Sequence, residues 1–379
     1  MISRWIFALL CLSACAPASA KPTLDDLWRG KAHLEQVGEL SFGQDVRGRA
    51  SETASWFVAR HGVWFAFSRA NAARPASLCK NDHMKVVVRE SRDKGRSWSS
   101  PVVAASPGIS REGDGCAILD GSSFYDQASG TWHLLAQCLD VQNRGGWSLC
   151  HYSRRSQSPL GAFAPDPANP VVRGGQLWSR LCGPGRACPA GIVDEGTPDI
   201  VAKRPDGFLV TIHGYHPASR AGFRAVVATP DFRRWTTSGG SLPGTAILSA
   251  RDCAGWLPGC VGFGQASTVF ANGRIYLVAE SMDRGLGCVK NQRWVFAIMR
   301  SRTGAWPRSN GGWDRLPDKA LIHRKWPDAN TSCALSYARW LVDGSDVYLI
   351  YEDWEPNHAR LHRRLLKLVP GGGRTLKIP

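Results

Sequence analysis

Five copies of one short unit predict an all-β chain folded as a five-bladed β-propeller, with a six-bladed ring as the alternative. Each unit is an alternating apolar strand, a glycine turn and an aromatic-rich strand, and the units start about 65–80 residues apart. That spacing suits propeller blades carrying large loops. After residue 20, no segment shows the period of a long amphipathic helix.

The inner half of each blade is read from these units. The first runs from Ser55 through Gly62 to Phe67, and the second from Ser122 through Gly130 to Ala136. The third runs from Ile200 through Gly207 to Ile212, the fourth from Ser267 through Gly273 to Val278, and the fifth from Ser336 through Gly344 to Tyr351. An outer strand is expected after each, at 84–89, 150–153, 225–228, 295–299 and 365–369. A closing aromatic, Trp98, Phe163, Trp235 or Trp306, follows the first four and suits packing between neighbouring sheets. None follows the fifth.

Residues 1–20 read as an export signal, leaving 21–379 as a single propeller domain. Arg4 gives a positive start, Trp5–Leu12 an apolar run too short to span a bilayer, and Ala18-Ser19-Ala20 a small-x-small cleavage pattern. Leu12-Ser13-Ala14-Cys15 also fits a lipobox, which would make Cys15 a lipid anchor. Both readings place the chain outside the cytoplasm, secreted, periplasmic or envelope-tethered, with membrane contact only through that anchor. Beyond residue 20, ten of the 12 cysteines remain, an even number that reads as disulfides in an exported chain. Cys138/Cys150, Cys182/Cys188 and Cys253/Cys260 are close enough in sequence to be local staples. No CxxC pair is present, so no metal site and no cofactor is expected. The net charge of +16 is scattered and mostly arginine. It fits an anionic polysaccharide or an acidic envelope surface better than nucleic acid, which takes clustered basic blocks, and the partner expected is a carbohydrate, anionic or not.

Two resemblances rest on short motifs. Ser91-Arg92-Asp93-Lys94-Gly95-Arg96-Ser97-Trp98 resembles the Asp-box of sialidases, a structural turn, in a single good copy. Ser156–Phe163 with Asn169-Pro170-Val171, and Glu195-Gly196-Thr197-Pro198, resemble the five-bladed arabinanase/xylosidase-type glycosidases of glycoside hydrolase family 43. That resemblance implies a glycoside hydrolase acting on a poly- or oligosaccharide, by an inverting two-carboxylate mechanism. The alternatives are a sialidase-like retaining hydrolase of acidic sugars and a non-catalytic carbohydrate-binding propeller.

Inner strands of a propeller begin beside the central channel, so counting back from each glycine turn gives the residues expected to converge. Glu52, Asp120 and Asp199 are carboxylates at that position in the first three blades; Gln265 and Ser336 are neutral in the last two. The family resemblance implies Glu52 as base, Asp120 as the group tuning the acid, and Glu195 or Asp199 as acid. Glu52 departs from the family's usual aspartate, and the histidine usual near Gln265 is missing. Gln265, His213, Arg111 and Arg339 complete the candidate substrate contacts; Arg111 and Arg339 with Arg224 would make an anion site.

Overall fold

The structure, a computed structural model, describes residues 21–42, 51–72, 83–108, 115–139, 146–283, 293–316, 334–354, 360–371 and 376–377. After a short helix α1 (Leu24–Trp28), strand β1 (Ala32–Leu40) leads into four consecutive antiparallel meanders. Blade 1 is β2 (Glu52–Arg60), β3 (Val63–Asn71), β4 (Met84–Ser91) and β5 (Val102–Ala105). Blade 2 is β6 (Ala117–Asp126), β7 (Thr131–Leu139), β8 (Ser148–Arg155) and β9 (Ala164–Pro165), and helix α2 (Trp178–Leu181) follows it. Blade 3 is β10 (Val193–Arg204), β11 (Gly207–His216), β12 (Ala221–Thr229) and, after a small hairpin of β13 (Ser238–Gly239) and β14 (Leu242–Pro243), β15 (Ala246–Leu248). Helix α3 (Ala250–Cys253) leads to blade 4: β16 (Cys260–Ala271), β17 (Arg274–Asp283), β18 (Arg293–Ser301) and β19 (Trp313–Arg315).

The last blade is made from both ends of the chain. Strands β20 (Ala334–Asp343), β21 (Asp346–Trp354) and β22 (Leu361–Pro370) form a meander, and β1 pairs antiparallel with β22 as its fourth strand. A short β23 (Leu376–Lys377) adds in parallel to β1. The fifth sequence unit thus lacks a closing aromatic because no following strand closes it; β1 does. Each innermost strand touches the next around the ring, β2 with β6, β6 with β10, β10 with β16, β16 with β20, and β20 with β2. All five strand-turn-strand units and all five outer-strand expectations coincide with observed strands.

The apolar core is divided in the same way. Five buried clusters each lie between neighbouring blades: Trp56 and Phe67 with Trp132 (1–2), Leu135 with Val210 (2–3), Val226 with Leu277 (3–4), Val278 with Leu349 (4–5), and Trp64 with Tyr348 (5–1). The closing aromatics serve this purpose: Trp98 meets Phe42 edge-on at 5.1 Å, and Phe163 meets Phe67 at 6.3 Å. The Ser91–Trp98 segment is a turn organised by Asp93. The Asp93 carboxylate accepts from the Ser97 N–H (2.9 Å) and hydroxyl (2.6 Å), while Trp98 Nε1 donates to the Gly95 carbonyl. The three expected local disulfides, Cys138–Cys150, Cys182–Cys188 and Cys253–Cys260, are formed. Among the described residues no helix is long and apolar enough to cross a membrane.

Because β1 seals the last blade, its inward side chains belong to the core. Leu34 is fully buried against the 4–5 cluster, whereas Val37 is half exposed. We expect Leu34→Ala to lower unfolding free energy by about 2–5 kcal/mol and Val37→Ala by less than about 0.5 kcal/mol. Urea denaturation checks this; equal small losses would show that β1 adds nothing to the ring.

Candidate active site

Every inner strand breaks register near its start. The breaks lie between Thr53 and Trp56, Ile118 and Gly121, Gly196 and Asp199, Phe263 and Ala266, and Ser336 and Arg339. In each, two residues face one on the second strand, a bulge that re-aims side chains at the end of the ring where inner strands begin. Ala54, Thr197 and Tyr337 occupy these bulges with positive φ. The facing positions on the second strands are Ser68, Gln137, Ile212, Glu280 and Tyr351.

The bulges gather one polar cluster from four blades. Asp120 of blade 2 accepts from Arg69 of blade 1 (3.2 Å) and from the Tyr337 hydroxyl of blade 5 (3.0 Å). Glu280 of blade 4 accepts from the Gln265 N–H at 3.3 Å and from the Tyr337 N–H. Burial pushes the Glu280 carboxyl up to about 8, and the nearby Asp120 charge adds to that rise. Burial also holds the Tyr337 phenol well above its ordinary value, so the hydroxyl is a donor. The Gln265 side chain is 1% exposed, and neither its amide oxygen nor its amide nitrogen has a partner.

Of the other expected site residues, Arg339 and Asp199 adjoin this cluster at the axis, and the rest lie elsewhere in the ring. Glu52 is clamped by Arg89 of its own blade, at 2.9 and 2.6 Å, with its second oxygen buried and unpartnered. The Glu195 side chain is wholly buried and caps the turn entering α2, accepting from the N–H groups of Gly175, Leu177 (2.7 Å) and Trp178 (3.4 Å). Burial nevertheless raises its carboxyl to about 8. Asp199 accepts from the Thr268 N–H (2.9 Å) and Ser122 hydroxyl (3.4 Å) and lies 3.8 Å from Arg339. Arg339 is 2% exposed and donates to the carbonyls of Ala266 and Gly121. Arg224 is likewise bound to the carbonyls of Gly264 and Thr197. These two guanidiniums tie blades together rather than presenting an anion site, and Arg111 lies outside the described residues. His213 is half-buried beside Gly196, and burial followed by Arg224 pulls it down to about 3, so the imidazole is neutral.

The common register differs from the one counted from the glycine turns. Asp120 and Gln265 do share a bulge position, with Ser55, Pro198 and Ala338. Asp199 lies one residue later, Glu52 and Glu195 three earlier, and Ser336 two earlier, because the inner strands differ in length between bulge and turn. Counting from the turns does not reach Glu280, Arg69 or Tyr337. The sequence does carry a signal for Glu280: a lone carboxylate ending the run Ile275-Tyr276-Leu277-Val278-Ala279. A buried charge in such a strand calls for a specific reason.

No protein-family model matches the chain, and no curated protein matches it. Solved structures do match over most of its length. A BT0996 RGII complex superposes with a TM-score of 0.61 at 11% identity, covering 94% of this protein and 98% of that one. A thermostable family-43 glycoside hydrolase gives 0.53 at 11% identity, covering 89% and 98%. The endo-arabinase from Bacteroides thetaiotaomicron gives 0.53 at 12% identity, covering 89% and 100%. The fold is therefore a β-propeller of the kind also found in glycoside hydrolases.

Glu195 and Glu280 keep their protons in the folded chain to about 8, against an ordinary value of 4.5. Unfolding between those limits releases the protons, so their contribution is complete below 4.5 and is lost as pH rises through 8. Urea midpoints should therefore shift progressively in favour of Glu280→Gln over the parent as pH rises across that window. A difference that stays constant with pH rules out burial as the cause.

Proposed function

We propose that the chain is a secreted, periplasmic or envelope-tethered glycoside hydrolase of the five-bladed type, acting on a poly- or oligosaccharide. The single observation that carries this reading is the pairing of Glu280 and Asp120 around Tyr337. Glu280 is held protonated and can deliver a proton to a leaving oxygen. Asp120, with a guanidinium and a phenol both donating to it, is the opposite carboxylate. They meet opposite ends of the same tyrosine, its main-chain N–H and its hydroxyl. An inverting pair needs about 6.5–9.5 Å to admit the attacking water, which Asp120 would activate. In this assignment Glu195 and Glu52 hold the scaffold around the site, and Asp199 holds the axis.

The family-43 likeness and the Asp-box turn support this reading, as do the disulfides, which persist in exported chains. The sialidase-like alternative loses its support, since Arg224 and Arg339 are bound to carbonyls. Tyr351, packed 5.2 Å from Phe296, lies in the core. The near-complete burial of both carboxyls, 6% and 3% exposed, favours a carbohydrate-binding propeller as the second reading.

We expect Glu280→Gln to cut turnover of a natural glycan by roughly 10²–10⁴-fold. It should have a much smaller effect on an activated aryl glycoside, whose leaving group needs little protonation. Asp120→Asn should impair both substrates alike. Steady-state kinetics decides it: parent rates in both variants remove these residues from catalysis, and binding without turnover in the parent selects the second reading.

A further inference from the structure

We propose that Trp294 is the platform on which the ring of a neutral sugar lies beside Glu280, with Gly264 left bare so that the two can adjoin; this rests on the glycosidase reading above. Trp294 is the second residue of β18, at the same end of the ring as the bulges, and is half-buried. Four other tryptophans are committed to the scaffold by their indole N–H. Trp56 donates to Ser123, Trp98 to the Gly95 carbonyl, Trp178 to the His213 carbonyl and Trp313 to the Ile247 carbonyl. Among the described residues the Trp294 indole has neither a ring contact nor a hydrogen bond.

Its position relative to the acid follows from the glycine. A β-carbon at residue 264 would stand 2.9 Å from Glu280 Oε2 and 3.0 Å from the six-membered ring of Trp294. The carboxyl and the indole edge therefore flank one bare α-carbon, and any side chain there would displace one of them. Gln265, the next residue, brings an amide with an unused donor and an unused acceptor. A sugar ring matches that set, since one face of it offers C–H groups to an indole and its hydroxyls both give and take hydrogen bonds.

The charge of the surroundings selects a neutral sugar. The ionisable neighbours raising the Tyr337 phenol include Asp120, Glu280 and Glu352, and the buried arginines Arg224 and Arg339 are bound to carbonyls. Arg69 is paired with Asp120. An anionic ring on Trp294 would lie beside the protonated Glu280 and the Arg69-paired Asp120, with no unpaired cation described there to balance its charge.

Binding can be read apart from turnover. Arabinotriose, xylotriose and trigalacturonate are titrated by calorimetry into the parent and into Trp294→Phe, Trp294→Ala and Gly264→Ala, each checked for parent-like thermal unfolding. We expect a neutral trisaccharide to bind, Trp294→Ala to weaken it about tenfold or more, Trp294→Phe to retain most of the affinity, and Gly264→Ala to lose binding and turnover together. Unchanged affinity in Trp294→Ala overturns the platform even if Glu280→Gln still abolishes hydrolysis. Preference for trigalacturonate overturns the neutral class, and failure of all three sugars to bind the parent overturns the proposal outright. Trp294-dependent binding without any hydrolysis supports the platform while removing the enzymatic reading.

Discussion

Five strands that converge on one axis cannot all satisfy their backbone by pairing with each other, and this chain meets that constraint with side chains from the next blade. The Ile200 N–H donates to Ser122, the Thr268 N–H to Asp199, the Trp340 N–H to Ser267, and the Ser55 N–H to Glu352. Arginines add to this: Arg339 caps carbonyls at Ala266 of blade 4 and, across the axis, Gly121 of blade 2, and Arg224 caps those at Gly264 of blade 4 and Thr197 of its own blade. A buried N–H or C=O left unpaired costs about 1–3 kcal/mol, so these contacts hold the register of the blades around the axis. The five apolar clusters fill the space between blades, but they are non-directional and cannot set that register alone.

The same constraint shapes the chemistry. Polar side chains brought to the axis to satisfy backbone are also removed from water, and desolvation moves their proton affinities. Glu280 rises because it is buried, even though two N–H groups pull the other way. Tyr337 sits in a left-handed bulge conformation that a bulky residue adopts only under tertiary constraint. There its main chain faces one carboxyl and its hydroxyl the other. A scaffold that needs polar contacts at its centre thus brings two carboxyls onto one tyrosine without a separate loop to hold them.

The architecture is legible in the sequence because period and turn chemistry are local: each alternating run flanking a glycine turn becomes two adjacent strands. The blade-closing role of β1 is not, since Ala32–Leu40 pairs with residues more than 300 positions away and carries no mark of its partner. Among the residues that meet in the cluster, Asp120 and Gln265 emerge from the count because, ten and eight residues before their glycine turns, it lands on the second residue of the bulge in those blades. Glu52 and Glu195 do not join that cluster, as they sit before the bulge and face Arg89 and the α2 turn. Glu280 and Arg69 escape because they come from second strands, to which a count back from the glycine turns does not extend.

The seam in blade 5 makes the position of the chain ends a matter of history rather than of architecture. A ring joined by hydrogen bonds between β1 and β22 is indifferent to which inter-strand connection is open, provided one blade is completed from both ends. Linking the termini and opening the exposed β20–β21 turn at Gly344 and Ser345 would move the seam within the same blade while leaving the axis untouched. It also means that a chain emerging from its amino end holds an edge strand with no partner until the final blade appears. Closure of this molecule is then a single late event, and a product cut short before Leu361 has no means of making it.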